Sequence, residues 1–361
     1  MEFRLIQWKS AALLTLYNTD AIKGVSPSNN PQKSKPPTTT TTYNPPTPNH
    51  DYNYTMSTIF VCGATGTQGG ALIPHLVSNN IKAHAIARDP SSKRALALKA
   101  SGVSIFPGSF DDASSLRTAM ADCTALFLNL MPSLTDPTQE LSQANRILSI
   151  AKEVGVQHVI YSSGLIQDLE RRTYWNPHRL GLVADVLLSK RAVEEAVRTA
   201  GFKHYTILRP GNFMSNYLAP FVHVQYPGLV ERGVVTTAFT PETVIPTVDP
   251  NDIGRFGAAA VLEPGRFHEK EVGIVSEILG LEEIMRILAQ ATGRELKVEY
   301  MTQEEIDAQL ATNPFLAGQL VARDMSEFVD MAEVRAWGVP IGTFSGFLER
   351  ERELIRETFS V

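Results

Sequence analysis

Between Ser57 and Gly70 the chain reads Ser-Thr-Ile-Phe-Val-Cys-Gly-Ala-Thr-Gly-Thr-Gln-Gly-Gly, and this run constrains the fold more than any other. An apolar stretch, Ile59 to Cys62, predicts a β-strand. The segment Ala71–Val77 predicts a helix. Between them Gly63, Gly66 and Gly69 are spaced G-x-x-G-x-x-G. The first glycine permits a tight turn, the second lets backbone approach a pyrophosphate, and the third lets helix pack on strand. A phosphate would sit on the helix N-terminus, where unpaired N–H groups and the dipole favour an anion. A strand–turn–helix without ligand is the alternative. The expected phosphate-binding residues are Gly63, Ala64, Thr65, Gly66, Thr67 and Gln68.

The same rhythm continues. Strands are expected at 81–87, 103–106, 124–130, 158–163 and 204–209, with helices at 91–100, 113–121, 138–154 and 180–200 between them. Alternation of this kind predicts an α/β fold, a doubly wound parallel sheet of Rossmann type with right-handed crossovers. The later chain is less regular. A helix over Phe213–Val224, short strands at 234–239 and 243–248, and a helix starting at Asn251 or Asp252 predict a smaller C-terminal α+β cap over the cofactor. The expected division is 56–212, mainly Rossmann core, and 213–361, mainly substrate or cap region.

The first 55 residues differ in kind. Pro36–Pro48 is a proline and threonine tract that cannot bury a core. Residues 1–55 read as a disordered low-complexity leader, with the compact protein beginning at Met56. Arg4 and Lys9 in the apolar stretch before Ala21 are accompanied by Glu2 and Asp20, which argues against organelle targeting. A net charge of -5 excludes the electrostatic footprint of a nucleic-acid binder. No apolar run approaches the ~20 residues that span a bilayer. Cys62 and Cys123 are the two cysteines, too few for a disulfide framework, so a reducing, cytoplasmic setting is expected, or a nuclear one for a regulator. No metal-ligand cluster is apparent.

Several residues at expected strand ends carry chemistry. Arg88, with Ser92, Lys93 and Arg94, offers positive charge where the adenosine ribose meets dinucleotide folds, which favours NADP over NAD. Asp89 is the competing group, able to take a ribose hydroxyl. Phe110 and Asp111 follow strand 3, placed either to meet adenine or to cap a helix. Asn129 and Leu130 end strand 4 at the carboxyl edge, where ligands sit in open α/β sheets. Reductases of this general build hold a serine after strand 5 and a Tyr-x-x-x-Lys on the next helix. Here Ser162 and Ser163 are present and Lys190 is kept, but Val186 stands where the tyrosine would be. A valine cannot transfer a proton. Tyr174, His178 and Tyr217 are the substitute donors to weigh, with Tyr174 entered beside Lys190 and Ser163 as a catalytic candidate.

Taken together, Gly63–Gly70, Ala87-Arg-Asp-Pro90, Gly108-Ser-Phe-Asp-Asp112, Tyr161-Ser-Ser-Gly164, Ser189–Glu194, Thr206–Met214 and Asp249–Gly254 make the chain resemble the NmrA-like family. That family is an atypical branch of the extended short-chain dehydrogenase/reductase superfamily. The resemblance runs from Met56 to roughly Val298. It implies an NADP(H)-binding sheet domain in which the Gly63–Gln68 loop binds phosphates and Arg88 binds the 2′-phosphate. It further implies that Lys190 binds the nicotinamide ribose and that Gly211, Asn212, Phe213 and Met214 line the nicotinamide. Ser109 departs from the aspartate many relatives carry. Some members reduce quinones, enones or related apolar substrates, and others are redox-sensing regulators. The expected function is NADPH-dependent reduction of a small apolar carbonyl, enone or quinone, with fungal secondary metabolism as the suggested setting. The alternative is a catalytically silent NADP(H) sensor acting through a protein partner. Oligomeric state is left open.

Overall fold

The computed structural model describes residues 57–133 and 135–360; the expected leader, residues 1–55, lies outside them. Its strands are β1 (Thr58–Val61), β2 (Lys82–Ala87), β3 (Ser104–Pro107), β4 (Ala125–Leu128), β5 (His158–Ser162), β6 (His204–Pro210), β7 (Asn212–Phe213), β8 (Val234–Thr237), β9 (Val244–Val248), β10 (Lys270–Ile274), β11 (Glu277–Gly280) and β12 (Lys297–Tyr300). Seven of them form one sheet in the order β10-β6-β5-β4-β1-β2-β3, and every pairing in it is parallel. The order reverses between β1 and β4, so a crevice opens there at the carboxyl ends. β1, β4 and β5 are buried along their whole length, as strands covered on both faces must be.

Helices fill both faces. On one, Ile59, Val61 and Phe127 pack with Leu72 and Ile73 of the helix Thr67–Ser78 and with Ile253 and Phe256 of the helix Pro250–Leu262. On the other, Phe60, Leu126, Tyr161 and Ile207 pack with Ile147 of the helix Gln139–Glu153 and Val193 of the helix Leu182–Thr199. The first layer contains a close contact between helices. A Cβ on Gly254 would collide with the Ala71 carbonyl, so the helix Pro250–Leu262 lies directly on the helix Thr67–Ser78. His75 Nε2 and Asn251 Oδ1 meet across the same contact at 2.8 Å.

Beyond β6 the structure departs from the sequence reading in three places. The expected helix Phe213–Val224 is broken. Phe213 is drawn into β7 beside Val248 of β9, a short 3-10 turn follows at Met214–Tyr217, and helix resumes only at Val222–Gln225. Pro220 cannot donate a backbone hydrogen bond within that run. The helix expected to start at Asn251 or Asp252 is capped earlier, by Asp249, whose carboxylate accepts from Asn251 N at 2.9 Å. Finally, β10 returns to the main sheet beside β6, so the chain rejoins the core well after residue 213. The remaining small sheets, β11-β9-β7 and β12-β8, carry a separate apolar cluster that includes Met214, Tyr217, Leu281, Phe344 and Phe347.

Candidate active site

The glycine loop turns tightly between β1 and the helix that follows it. Cys62 N donates to Phe127 O at 3.0 Å and extends the ladder past β1; Gly66 N then turns back onto Gly63 O at 2.9 Å. The helix Thr67–Ser78 starts from Gly66 in extended conformation with no side-chain cap and no acidic residue in its first turn. Its first N–H groups therefore face outward as donors for an anion. Gly69 is obligatory, because a Cβ there would fall on the Gly63 carbonyl. Burial pushes the Cys62 thiol up to about 12, so it is an inert core group beside the loop.

Gln68 links this loop to the neighbouring strand ends. Its Oε1 accepts from Ser162 Oγ at 2.6 Å, and its Nε2 donates to Asn129 Oδ1 at 3.0 Å. The helix N-terminus and the ends of β4 and β5 thus share one hydrogen-bonded side chain. Asn129 is placed at the expected edge, while Leu130 is buried in the helix layer behind it.

At the expected adenosine end, Arg88 is exposed directly after β2, with Lys93 exposed nearby. Arg94 reaches back to Thr65 O at 3.4 Å and braces the loop. Asp89 is engaged locally: Oδ1 accepts from Ser91 N at 2.8 Å and Ser91 Oγ at 2.5 Å, and these bonds hold its carboxyl below the usual range. Ser92 caps the helix Lys93–Ala100 by accepting from Ala95 N. After β3, Asp111 pairs with Arg146 at 3.2 Å and also accepts from Gln143 at 3.2 Å. Asp112 is the cap of the helix Ala113–Met120, accepting from Ser114 N and Ser115 Oγ. Phe110 packs at the edge of the helix layer.

At the opposite end, Ser163 continues β5 by donating its N–H to Leu208 O at 2.8 Å. Its Oγ is buried without a partner, as is Asn212 Nδ2 on β7. Asn212 Oδ1 accepts from Asn216 Nδ2 at 3.2 Å, which fixes the amide. Gly211 joins β6 to β7, Phe213 is half-buried beside it, and Met214 is fully buried in the apolar cluster of the small sheets. Lys190 lies in the helix Leu182–Thr199 and donates to Glu140 Oε1 at 3.1 Å. Glu140 was not foreseen: it stands fifty positions upstream in a different helix, and no local pattern pairs the two. Val186 is in the same helix as Lys190, and carries no proton to give.

The other donors considered differ in their surroundings. Tyr174 sits beneath the Arg323 guanidinium, 4.9 Å from its ring centre, beside the cluster of Leu180, Leu316 and Leu320. Tyr217 is fully buried and stacked on Tyr226 at 5.1 Å, and burial raises its phenol well above the usual value. His178 is exposed on the short helix Pro177–Leu180. Among the described residues no His, Cys, Asp and Glu cluster is fit to hold a metal, and no helix is long and apolar enough to cross a membrane.

Known proteins share this fold. An NmrA-like family domain-containing oxidoreductase, malD of Malbranchea aurantiaca, is 26% identical over 255 residues, covering 66% of this chain and 74% of the relative. Among solved structures, the Escherichia coli NADPH-dependent quinone oxidoreductase QOR2 complexed with NADPH matches with a TM-score of 0.62 at 21% identity, covering 81% of this chain and 99% of that one. NmrA, a negative transcriptional regulator, in complex with NADP matches at 0.60 and 19% identity, covering 84% and 95%. These likenesses carry the fold. The model of the NmrA-like family itself matches residues 55–338, from the approach to β1 past β12, and so takes in the glycine loop and all twelve strands. The chain belongs to the NmrA-like family.

Proposed function

We propose that this protein is an NADPH-dependent oxidoreductase that reduces a small, apolar, conjugated carbonyl compound, a quinone or an enone. The observation that supports it best is the set of unspent polar groups along one sheet edge: the uncapped amides behind Gly66 and the buried, unpartnered Ser163 Oγ and Asn212 Nδ2. These residues fit a dinucleotide. Gly63–Gln68 would hold the pyrophosphate, and Arg88 with Lys93 the 2′-phosphate. Lys190 would hold the nicotinamide ribose, and Ser163 and Asn212 the nicotinamide end. The engagement of Asp89 with Ser91 favours the phosphorylated cofactor, since a carboxylate oxygen committed to its own loop is not offered to a free ribose 2′-hydroxyl.

Bound NADPH supplies a hydride. Val186 then bears on the substrate. Hydride addition to a simple ketone makes an alkoxide that needs an acid beside it. Addition to a quinone or an enone makes a delocalised oxyanion that takes its proton from water. The loss of the tyrosine is tolerable for the second class, and it is equally compatible with a second reading, a redox-sensing regulator without turnover. The test is NADPH oxidation by the full chain with quinones, enones and aldehydes, with Lys190→Ala alongside. Turnover of quinones or enones that Lys190→Ala lowers at least tenfold supports the enzyme. Tight NADPH binding without turnover, and with different affinities for NADPH and NADP+, replaces it with the sensor.

A further inference from the structure

Lys190 is held in an unusual way. One turn back in its helix stands Val186, which offers it nothing. Its ammonium instead meets Glu140, which is only 1% exposed at the side chain, while Lys190 itself is 16% exposed. The second carboxylate oxygen accepts from Ser189 Oγ at 2.9 Å. Both oxygens of Glu140 are therefore committed to consecutive residues of one helix. A carboxylate taken out of water is costly unless it is paired and fully hydrogen-bonded, and this one is both. Glu140 also lies in the first turn of the helix Gln139–Glu153, where the dipole favours negative charge. An ammonium has three N–H groups. Among the described residues Glu140 is the one side chain that Lys190 is bonded to, so two donors remain to be given.

We infer that Glu140, braced by Ser189, is the positioning residue that holds the Lys190 ammonium ready for the ribose of the bound cofactor. The inference rests on the proposed NADPH-dependent function. The charged and titratable groups around the pair are few. Tyr161 comes from β5, its phenol raised by burial first and then by Glu140 and Glu194. Glu194 lies one turn on from Lys190 in its own helix and is committed to Arg209 and Arg198. A structural ion pair and a positioning pair differ in what they transmit. The first affects folding alone. The second affects cofactor affinity, and only through the lysine.

The experiment is NADPH titration of the full chain by fluorescence, comparing wild type, Glu140→Gln, Glu140→Asp, Lys190→Met and the double variant Glu140→Gln/Lys190→Met, with a thermal melt of each. Glu140→Gln is expected to weaken NADPH about tenfold. Glu140→Asp, which keeps the charge, should recover at least half of that loss. In the Lys190→Met background the Glu140→Gln change should cost less than about twofold, the mark of coupled residues. An equal loss in both backgrounds overturns the inference, as does unchanged affinity in Glu140→Gln. If Glu140→Gln melts below the assay temperature, Glu140→Asp carries the same cycle, and the same two results decide it. Wild type that fails to bind NADPH removes the functional reading beneath it, a result distinct from either.

Discussion

Two carboxylates, Glu140 and Glu194, are equally buried, each 1% exposed at the side chain, and both pair with residues of the helix Leu182–Thr199, Glu140 from a neighbouring helix and Glu194 from within it. Their partners set them apart. Glu194 is gripped by the fork of Arg209, at 2.9 Å from Nε and 2.6 Å from Nη2, and also by Arg198 at 2.8 Å. Glu271 of β10 closes the group by pairing with Arg198 at 2.5 Å and Arg209 at 2.8 Å. Guanidiniums keep their charge and match carboxylates in plane, so this cluster ties helix to β6 and β10. Glu140 faces a lysine, a compact point charge that meets it through a single hydrogen bond. Burial and charge alone do not distinguish the two sites; the shape of the cation does.

That contrast can be broken by experiment. The largest effect is expected from Glu194→Gln, which leaves two guanidiniums facing a neutral amide. Disrupting a buried pair by removing one partner costs about 3–5 kcal/mol, read as a lowered midpoint in chemical denaturation. NADPH affinity of the folded fraction should not change; a parallel loss of affinity would erase the distinction drawn here. A smaller effect, confined to the other side, is expected from Gly69→Ala. Forcing a methyl onto the Gly63 carbonyl costs about 1–3 kcal/mol of overpacking at the loop, and this should appear as weaker NADPH binding of roughly tenfold or more.

The smallest effect concerns the amino edge of the sheet, far from either carboxylate's role. His158 is lowered from the usual 6.5 to about 3, by burial first and then by His204 and His268. It is neutral in the fold and takes a proton on unfolding. Between these values the unfolded chain binds more protons, so stability falls as pH falls below 6.5. By pH 5.5 the loss should be about 1 kcal/mol relative to pH 7.5, measured by urea titration, and His158→Gln should remove most of it. A pH dependence left intact in that variant would place its origin elsewhere.

The part of the fold visible in the sequence is the part made of local signals. The strands through β6 are short apolar runs punctuated by glycine and capped helices, and they stand where the alternation places them. β10 was not legible: Lys-Glu-Val-Gly-Ile opens on two charged residues, and its partner β6 lies some sixty residues earlier. The helix expected at Phe213 failed because tertiary pairing with β9 outcompeted local propensity. The site divides the same way. The glycine loop announces itself, since three spaced glycines have few other uses. The bonds from Gln68 to Ser162 and Asn129, and from Glu140 to Lys190, join residues far apart in the chain and leave no spacing to read.

The contact between the helices Thr67–Ser78 and Pro250–Leu262 has a consequence for the order of events during synthesis. The glycine loop is among the first parts of the folded region to leave the ribosome. Its helix cannot be finished then. Leu72 and Ile73 depend on Ile253 and Phe256, which arrive about 180 residues later in the chain, and the sheet lacks its β10 edge until later still. A nascent chain that ends at β6 holds the glycine loop but exposes the apolar face behind it. Closing such distant contacts is slow and leaves that surface open to aggregation and to chaperones in the meantime. The earliest written element of the site is therefore among the last to be completed.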